Sequence, residues 1–256
     1  MSVFKERCQV IIDLHCHILP NVDDGAENIE ETIEMLSIAV EEGISGIVAT
    51  SHAEAELGKK QSDRYLKSYR EILHYIEANN IPIQLYYGNE LYYSEGIISA
   101  LRNGEAHTLN GTRYILVEFP INESYSYIER GIRNLQNIGC WPIIAHVERY
   151  QALQSEEKIR QLIELGVCIQ INSNSILGKA GIPTRMFCTK LLRKGLVHIV
   201  ATDAHGSKHR RPVIKDCLKL IDRIAGESYR RTITEENPER IIKGETLKER
   251  GFTCKN

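Results

Sequence analysis

The residues with the most chemistry in them are histidines and carboxylates set at the ends of short apolar runs. His15 and His17 flank Cys16 in Asp13-Leu14-His15-Cys16-His17. Side chains alternate along a β-strand, so two imidazoles one residue apart point to the same side. Val10-Ile11-Ile12 before them reads as a buried strand. His15 and His17 thus sit at a strand tip and present two imidazoles to one point. The same spacing returns in Asp203-Ala204-His205, and His52, Glu90, Glu118 and His146 each stand at the end of another apolar run. One such residue alone would be an ordinary polar loop start. Five histidines and three carboxylates spread over nearly every run point instead to a shared site.

Imidazoles and carboxylates without thiolates suit Mn, Fe or Zn. Eight or nine ligands exceed what one ion takes, so two or three ions follow, bridged by Glu90. Polynuclear centres of this kind serve in-line displacement at phosphorus, or hydrolysis. Asp23-Asp24-Gly25 follows the first run. Asp-Gly is common turn chemistry, but in this company Asp24 joins the ligand set. Asp13, one step deeper on the same face, is expected to orient an imidazole. Arg149 follows His146 by three residues, and Lys208-His209-Arg210-Arg211 follows His205. Arginine offers a planar fork matched to phosphate, so Arg149 and Arg210 are the expected phosphate clamps. His74, His107 and His198 fall outside this set and read as structural or surface residues. Cys217 and Arg223 show the spacing of cysteine-dependent phosphatases, but Leu-Lys-Leu-Ile-Asp between them has no glycine to cradle phosphate. That stretch reads as amphipathic helix.

Such groups need a scaffold that gathers distant residues. Seven apolar runs recur, at 10–17, 46–52, 83–90, 114–119, 142–146, 167–172 and 197–205. Their near-continuous apolar character suits a parallel sheet covered on both faces. Helical patterns lie between them. Asn28 is placed to cap a helix through Glu41 with Ile33, Leu36, Ile38 and Val40 inward. Ser62 is placed to cap a second, and others are expected near 95–102, 125–138, 156–165, 184–194 and 213–225. Glycines at 43, 139, 166 and 195 end helices just before strands. Asn237-Pro238 reads as the cap and first residue of a closing helix. The repeated unit argues for an α/β fold, either a barrel or a doubly wound sheet, with ligands gathered at the C-terminal strand ends. No linker composition interrupts it, so residues 1–256 read as one domain.

The remaining composition excludes more than it proposes. A net charge of -2 gives no electrostatic case for nucleic acid or a membrane surface. The cysteines, at 8, 16, 140, 168, 188, 217 and 254, form no CxxC and suggest neither a disulfide framework nor a cysteine zinc site. No run is long enough for a membrane span, and the first residues lack a signal-peptide pattern. A cytoplasmic protein is expected.

Several motifs resemble one family. Asp13-Leu14-His15-Cys16-His17-Ile18-Leu19-Pro20, Asp23-Asp24-Gly25-Ala26 and Ala49-Thr50-Ser51-His52 are similar to the bacterial metal-dependent protein-tyrosine phosphatases of capsule and exopolysaccharide synthesis, within the polymerase-and-histidinol-phosphatase (PHP) superfamily. Gly88-Asn89-Glu90, Leu116-Val117-Glu118-Phe119-Pro120, Ala145-His146-Val147-Glu148-Arg149 and Ala201-Thr202-Asp203-Ala204-His205 continue the match in order. The resemblance implies a distorted seven-stranded (β/α)7 TIM-like barrel holding three divalent ions, often manganese. It carries over His15, His17, Asp24, His52, Glu90, Glu118, His146, Asp203 and His205 as ligands, with Arg149 and Arg210 at the phosphate. It implies hydrolysis of phosphotyrosine on the tail of a bacterial tyrosine kinase that controls polysaccharide export. Ser51 and Val147 stand where the family usually has proline, Ala53 stands where it often has a second histidine, and Ile171-Asn172-Ser173-Asn174-Ser175 is varied. These departures touch the pocket rim and no ligand. Rival readings are a histidinol-phosphate phosphatase, a PHP nuclease disfavoured by the charge balance, and a metal-stabilised scaffold that binds a phosphopeptide without turnover.

Overall fold

The computed structural model describes residues 10–247; Cys8 and Cys254 lie outside the described residues. The chain alternates strand and helix as β1 (Ile11–Cys16), α1 (Ile29–Glu41), β2 (Ile44–Ala49), β3 (His52–Ala53), α2 (Gly58–Ala78), β4 (Gln84–Tyr87), β5 (Glu90–Tyr92), α3 (Ile97–Arg102), β6 (Tyr114–Glu118) and α4 (Tyr125–Asn137). It continues as β7 (Trp141–Ile144), α5 (Glu156–Glu164), β8 (Cys168–Asn172), α6 (Ser173–Ile176), α7 (Ile182–Arg193), β9 (Ile199–Ala201), α8 (Lys215–Ala225), α9 (Glu227–Arg231) and α10 (Asn237–Lys243).

All strand pairs are parallel. They form a three-stranded sheet, β1-β2-β4, and a six-stranded sheet, β3-β5-β6-β7-β8-β9. This corrects the expectation of seven continuous strands in one ring. The second and third apolar runs each break in two, at residues 50–51 and 88–89. Non-ladder hydrogen bonds explain the breaks. Gly88 N donates to Ala49 O, Glu90 N to Thr50 O, and the Asn89 side chain to Ser51 O. The two sheets also meet beyond the tip of β1. Cys16 bridges Ala204, His17 N donates to Ala204 O at 2.8 Å, and Asp203 N donates to His15 O at 2.8 Å. That contact brings the first and last ligand pairs side by side.

Local sequence accounts for most helix ends. Asn28, Ser124 and Ser155 accept from the backbone N–H three residues on, capping α1, α4 and α5. Gly43, Gly139, Gly166 and Gly195 are all left-handed, ending their helices as expected. Three expectations are corrected. The buried face of α1 is Thr32, Met35, Leu36 and Ala39, so only Leu36 of the residues expected inward is fully buried. Ser62 lies inside α2, where its hydroxyl meets His107 Nε2 at 3.0 Å instead of capping. Asn237 continues a π-helical turn (Thr232–Glu236) into α10, and its side chain donates to His198 O. One hydrophobic cluster runs from Ile11 to Ile233 between helices and sheets, and a second lies around Leu14, Leu116 and Ala201.

His198 has a structural role. Its Nδ1 accepts from Ile169 N at 3.1 Å, extending the β8–β9 pairing by a side chain. Burial pushes its pKa down to about 4. The folded value lies below the unfolded one of about 6.5. The associated stability is therefore present above pH 6.5 and is lost as pH falls toward 4. Between pH 7 and pH 4, wild type should lose about 3 kcal/mol more unfolding free energy than His198→Asn. Urea titrations across that range check this.

Candidate metal centre

The nine residues expected as ligands, eight from six of the seven runs and Asp24 from the loop after the first, meet at the C-terminal ends of the strands. His15 and His17 leave β1 and are fully buried. Glu90 opens β5 at the strand break and is equally buried. Its Oε2 lies 3.1 Å from His15 Nε2, 3.2 Å from His17 Nε2 and 3.2 Å from His52 Nδ1. Its Oε1 lies 3.0 Å from His146 Nε2, which is 3.4 Å from Glu118 Oε1. Asp203 Oδ1 is 3.3 Å from His15 Nε2 and 3.5 Å from His205 Nδ1. Asp24 Oδ1, at the open side, is 3.4 Å from both His52 Nε2 and His205 Nε2.

Three groups of donors have their ligating atoms within 4.8 Å of one another: His17, Asp24, His52 and His205; His15, His17 and Asp203; and His52, Glu90 and Glu118. His146 adjoins the third through Glu90 and Glu118. The spacing fits shared ions. Donors about 2.1 Å from one first-row ion lie about 3.0–3.4 Å apart, depending on coordination geometry. Among the described residues no thiol takes part. Cys16 turns to the opposite face and packs in the core.

Electrostatics point the same way. Burial opposes charge on His17, yet Asp23 and Glu90 outweigh it and push its pKa up to about 10. The field there favours positive charge. Its stacked neighbour His205, with ring centroids 3.8 Å apart, goes the other way. Burial, then the charges of His17 and Arg210, push it down to about 3. Burial and the Glu90 charge push Glu118 up to about 7. Packed carboxylates and imidazoles without a shared cation frustrate one another in this way, and a divalent ion relieves it. The residues present therefore fit a polynuclear metal centre.

Backbone strain also concentrates here. His146, Asp203 and Arg210 have left-handed φ of 33°, 52° and 48°. Such conformations cost about 1–3 kcal/mol each and persist where the surroundings enforce them. His146 N donates to Gln170 Oε1 at 2.7 Å and its carbonyl accepts from Arg149 N at 2.9 Å. The tight turn Val147–Arg149 so formed aims Arg149 back at the site. Arg149 Nη2 contacts Asp203 Oδ2 at 2.5 Å, and Arg210 Nη2 contacts Asp203 Oδ1 at 2.6 Å. Both guanidinium groups are about one-third exposed, at 34% and 39%. They flank the mouth through Asp203.

Four residues have roles the sequence left unassigned or misplaced. Asp13 does not touch an imidazole. It accepts from Thr202 N, the Thr202 hydroxyl and His15 N, tying β1 to the end of β9. The imidazole-orienting carboxylate is Asp23, whose Oδ2 lies 2.8 Å from His17 Nδ1 and also accepts from His52 N. The Asp23-Asp24 doublet was visible, but which member turns inward is decided by the loop. Gln170 and Asn172 are buried on β8, and their polar i, i+2 spacing in an apolar strand was the available signal. Cys217 is buried in α8 and burial pushes its thiol well above the usual range, so it is no nucleophile.

Gly25 makes the acidic loop possible. A Cβ there would lie 2.2 Å from His17 O and 2.6 Å from His17 Cβ. Gly25→Ala should displace His17 or Asp24, cost about 1–3 kcal/mol of stability and weaken metal uptake. Thermal melts and elemental analysis of the purified variant check this.

A parallel α/β scaffold with imidazoles and carboxylates gathered at its strand ends defines a class, the metal-centre hydrolase folds. Within that class the chain belongs to the capsular polysaccharide synthesis CpsB/CapC family, whose model matches residues 11–243. It is 32% identical over 244 residues to tyrosine-protein phosphatase CpsB of Streptococcus agalactiae, covering 91% of this chain and 98% of that protein. It is 32% identical over 238 residues to tyrosine-protein phosphatase YwqE of Bacillus subtilis, covering 93% of each. Among solved structures it matches one from a study of YwqE from Bacillus subtilis and CpsB from Streptococcus pneumoniae, described there as unique metal-dependent tyrosine phosphatases. That match has a TM-score of 0.85 at 32% identity, covering 93% of this chain and 96% of the other.

Proposed function

We propose that this protein is a metal-dependent phosphatase that hydrolyses phosphotyrosine in protein, on the tail of a bacterial tyrosine kinase controlling capsular or exopolysaccharide synthesis. The observation that carries this reading is the convergence of nine donor residues on Glu90 and Asp203, with Arg149 and Arg210 at the mouth. The ligand set is His15, His17, Asp24, His52, Glu90, Glu118, His146, Asp203 and His205, enough for three ions; the donors suit Mn, Fe or Zn, and the family resemblance favours manganese among them. Residues 1–256 act as a single domain, a distorted barrel in which the strand breaks admit Glu90. Free thiols at Cys16, Cys140, Cys188 and Cys217 suit a reducing cytoplasm.

Bound divalent ions supply Lewis acidity toward a phosphoryl oxygen and lower the pKa of water toward about 7. The chain's own groups do the rest. Glu90 holds four imidazoles at fixed spacing, and Asp23 fixes the His17 ring. Arg149 and Arg210 exchange part of their contact with Asp203 for phosphoryl oxygens, orienting the ester and stabilising developing charge. A phenolic leaving group, with a pKa of about 10, needs less protonation than an alkyl alcohol, which suits a mouth without a dedicated general acid.

The discriminating experiment is steady-state turnover of a phosphotyrosyl peptide, a phosphoseryl peptide and histidinol phosphate by Mn2+-loaded protein. The phosphotyrosyl peptide should have the highest kcat/KM. A preference for histidinol phosphate would move the reading to a small-molecule phosphatase. Phosphopeptide binding without phosphate release would leave only a scaffold.

A further inference from the structure

Among the seven strand runs, the one containing β8 alone supplies none of the nine candidate ligands. Its site-facing residues are instead Gln170 and Asn172, with 0% and 4% exposure. Their contacts form a directed chain. Asn172 Nδ2 donates to Asp203 Oδ2 at 2.7 Å, and a carboxylate can only accept. Asn172 Oδ1 therefore faces Gln170, whose Nε2 donates to it at 2.8 Å. Gln170 Oε1 is left to accept, and it does so from the backbone N–H of His146 at 2.7 Å. Both amide orientations are fixed from either end.

That orientation decides the state of His15. Its Nδ1 lies 3.4 Å from Gln170 Oε1, an acceptor, so Nδ1 must carry the proton. Nε2, which faces Glu90, Asp203 and His17 Nε2, the last 3.2 Å away, is then the nitrogen left for a metal ion. Asp23 sets His17 in the same tautomer from the other side. One amide thereby touches or steers residues from three other runs: His15 on β1, His146 after β7 and Asp203 after β9.

We propose that Gln170 is a positioning residue that selects the metal-facing nitrogen of His15 and holds His146 and Asp203 in register with it, which rests on the metal-centre reading above. It makes no contact with substrate. It acts through the groups it orients, and its loss should appear first in metal binding. Outer partners of metal-bound histidines typically set affinity at the 10- to 100-fold level.

The test uses the full chain stripped of metal and titrated with Mn2+, free ion being followed by electron paramagnetic resonance. Gln170→Met should weaken uptake about 10- to 100-fold, beyond any change in the urea stability of the stripped protein. Gln170→Glu keeps an acceptor for His146 N and His15 Nδ1 but loses the donor to Asn172 Oδ1, and should weaken uptake clearly less than Gln170→Met. In Zn2+-loaded wild type, long-range proton–nitrogen spectra should show His15 protonated at Nδ1, a readout that needs no variant to fold. Wild-type affinity in Gln170→Met, equal loss in both variants, or metal at His15 Nδ1 would each overturn the proposal. Those outcomes leave the metal centre standing. No Mn2+ uptake by wild type would overturn both.

Discussion

Replacing Glu90 by glutamine is expected to lower kcat on a phosphotyrosyl peptide by at least about 1,000-fold, equivalent to about 4 kcal/mol of barrier. Both carboxylate oxygens are used, Oε2 against His15, His17 and His52 and Oε1 against His146. Glutamine keeps the shape but replaces one ligating oxygen with an NH2 group that has no lone pair to offer. The loss should come with a deficit in bound metal, since Glu90 is the common neighbour of four imidazoles. Steady-state kinetics together with elemental analysis check both parts. A Glu90→Gln enzyme with full metal content and near-normal kcat would remove Glu90 from the centre.

The arginine pair should behave differently. Arg149→Ala with Arg210→Ala should reduce kcat/KM by about 1,000-fold, near 2 kcal/mol for each charge-assisted contact, while metal content is retained. Neither guanidinium is among the ligand groups, and both reach the site by way of Asp203. Lysine at Arg149 should restore only part of the loss, because an ammonium keeps the charge but not the planar fork. Loss of metal in the double variant would mean that the arginines support Asp203 rather than receive phosphate. Inhibition by free phosphate separates the cases further, since the alanine variants should bind it weakly at unchanged metal occupancy.

The site residues were legible for a simple reason. Parallel strands gather their C-terminal ends, so polar residues closing apolar runs must come together. Strand parity puts His15 with His17 and Asp203 with His205 on one side, although β1 ends at Cys16 and β9 at Ala201, so His17, Asp203 and His205 stand just beyond the ladders. The parts that were not legible depend on loops and on packing between runs. Glu90 reaches the centre because the run 83–90 breaks at Gly88-Asn89, and the chain resumes as a second strand, β5, on the other sheet. Asp13 was read as a histidine partner from its position one step deeper. The structure gives that task to Asp23, because the turn folded over Gly25 brings Asp23 inward and leaves Asp24 at the mouth. In α1, alternation of polar and apolar residues misled, since Thr32 is buried by its hydroxyl's bond to Ile18 O. Asn172 was seen only as part of a varied segment, and Gln170 only as part of the apolar run 167–172. Their function lies in contacts between strands, which one sequence does not display.

The central claim is that divalent metal held by this residue set, and no cysteine, carries phosphotyrosine hydrolysis. The most direct measurement is phosphate release from a phosphotyrosyl peptide by chelator-stripped protein, with metal content verified, before and after Mn2+ add-back. Activity should vanish on stripping and return with Mn2+ in wild type and in Cys217→Ser alike. Turnover that persists without metal, or that Cys217→Ser abolishes with metal still bound, would contradict the account.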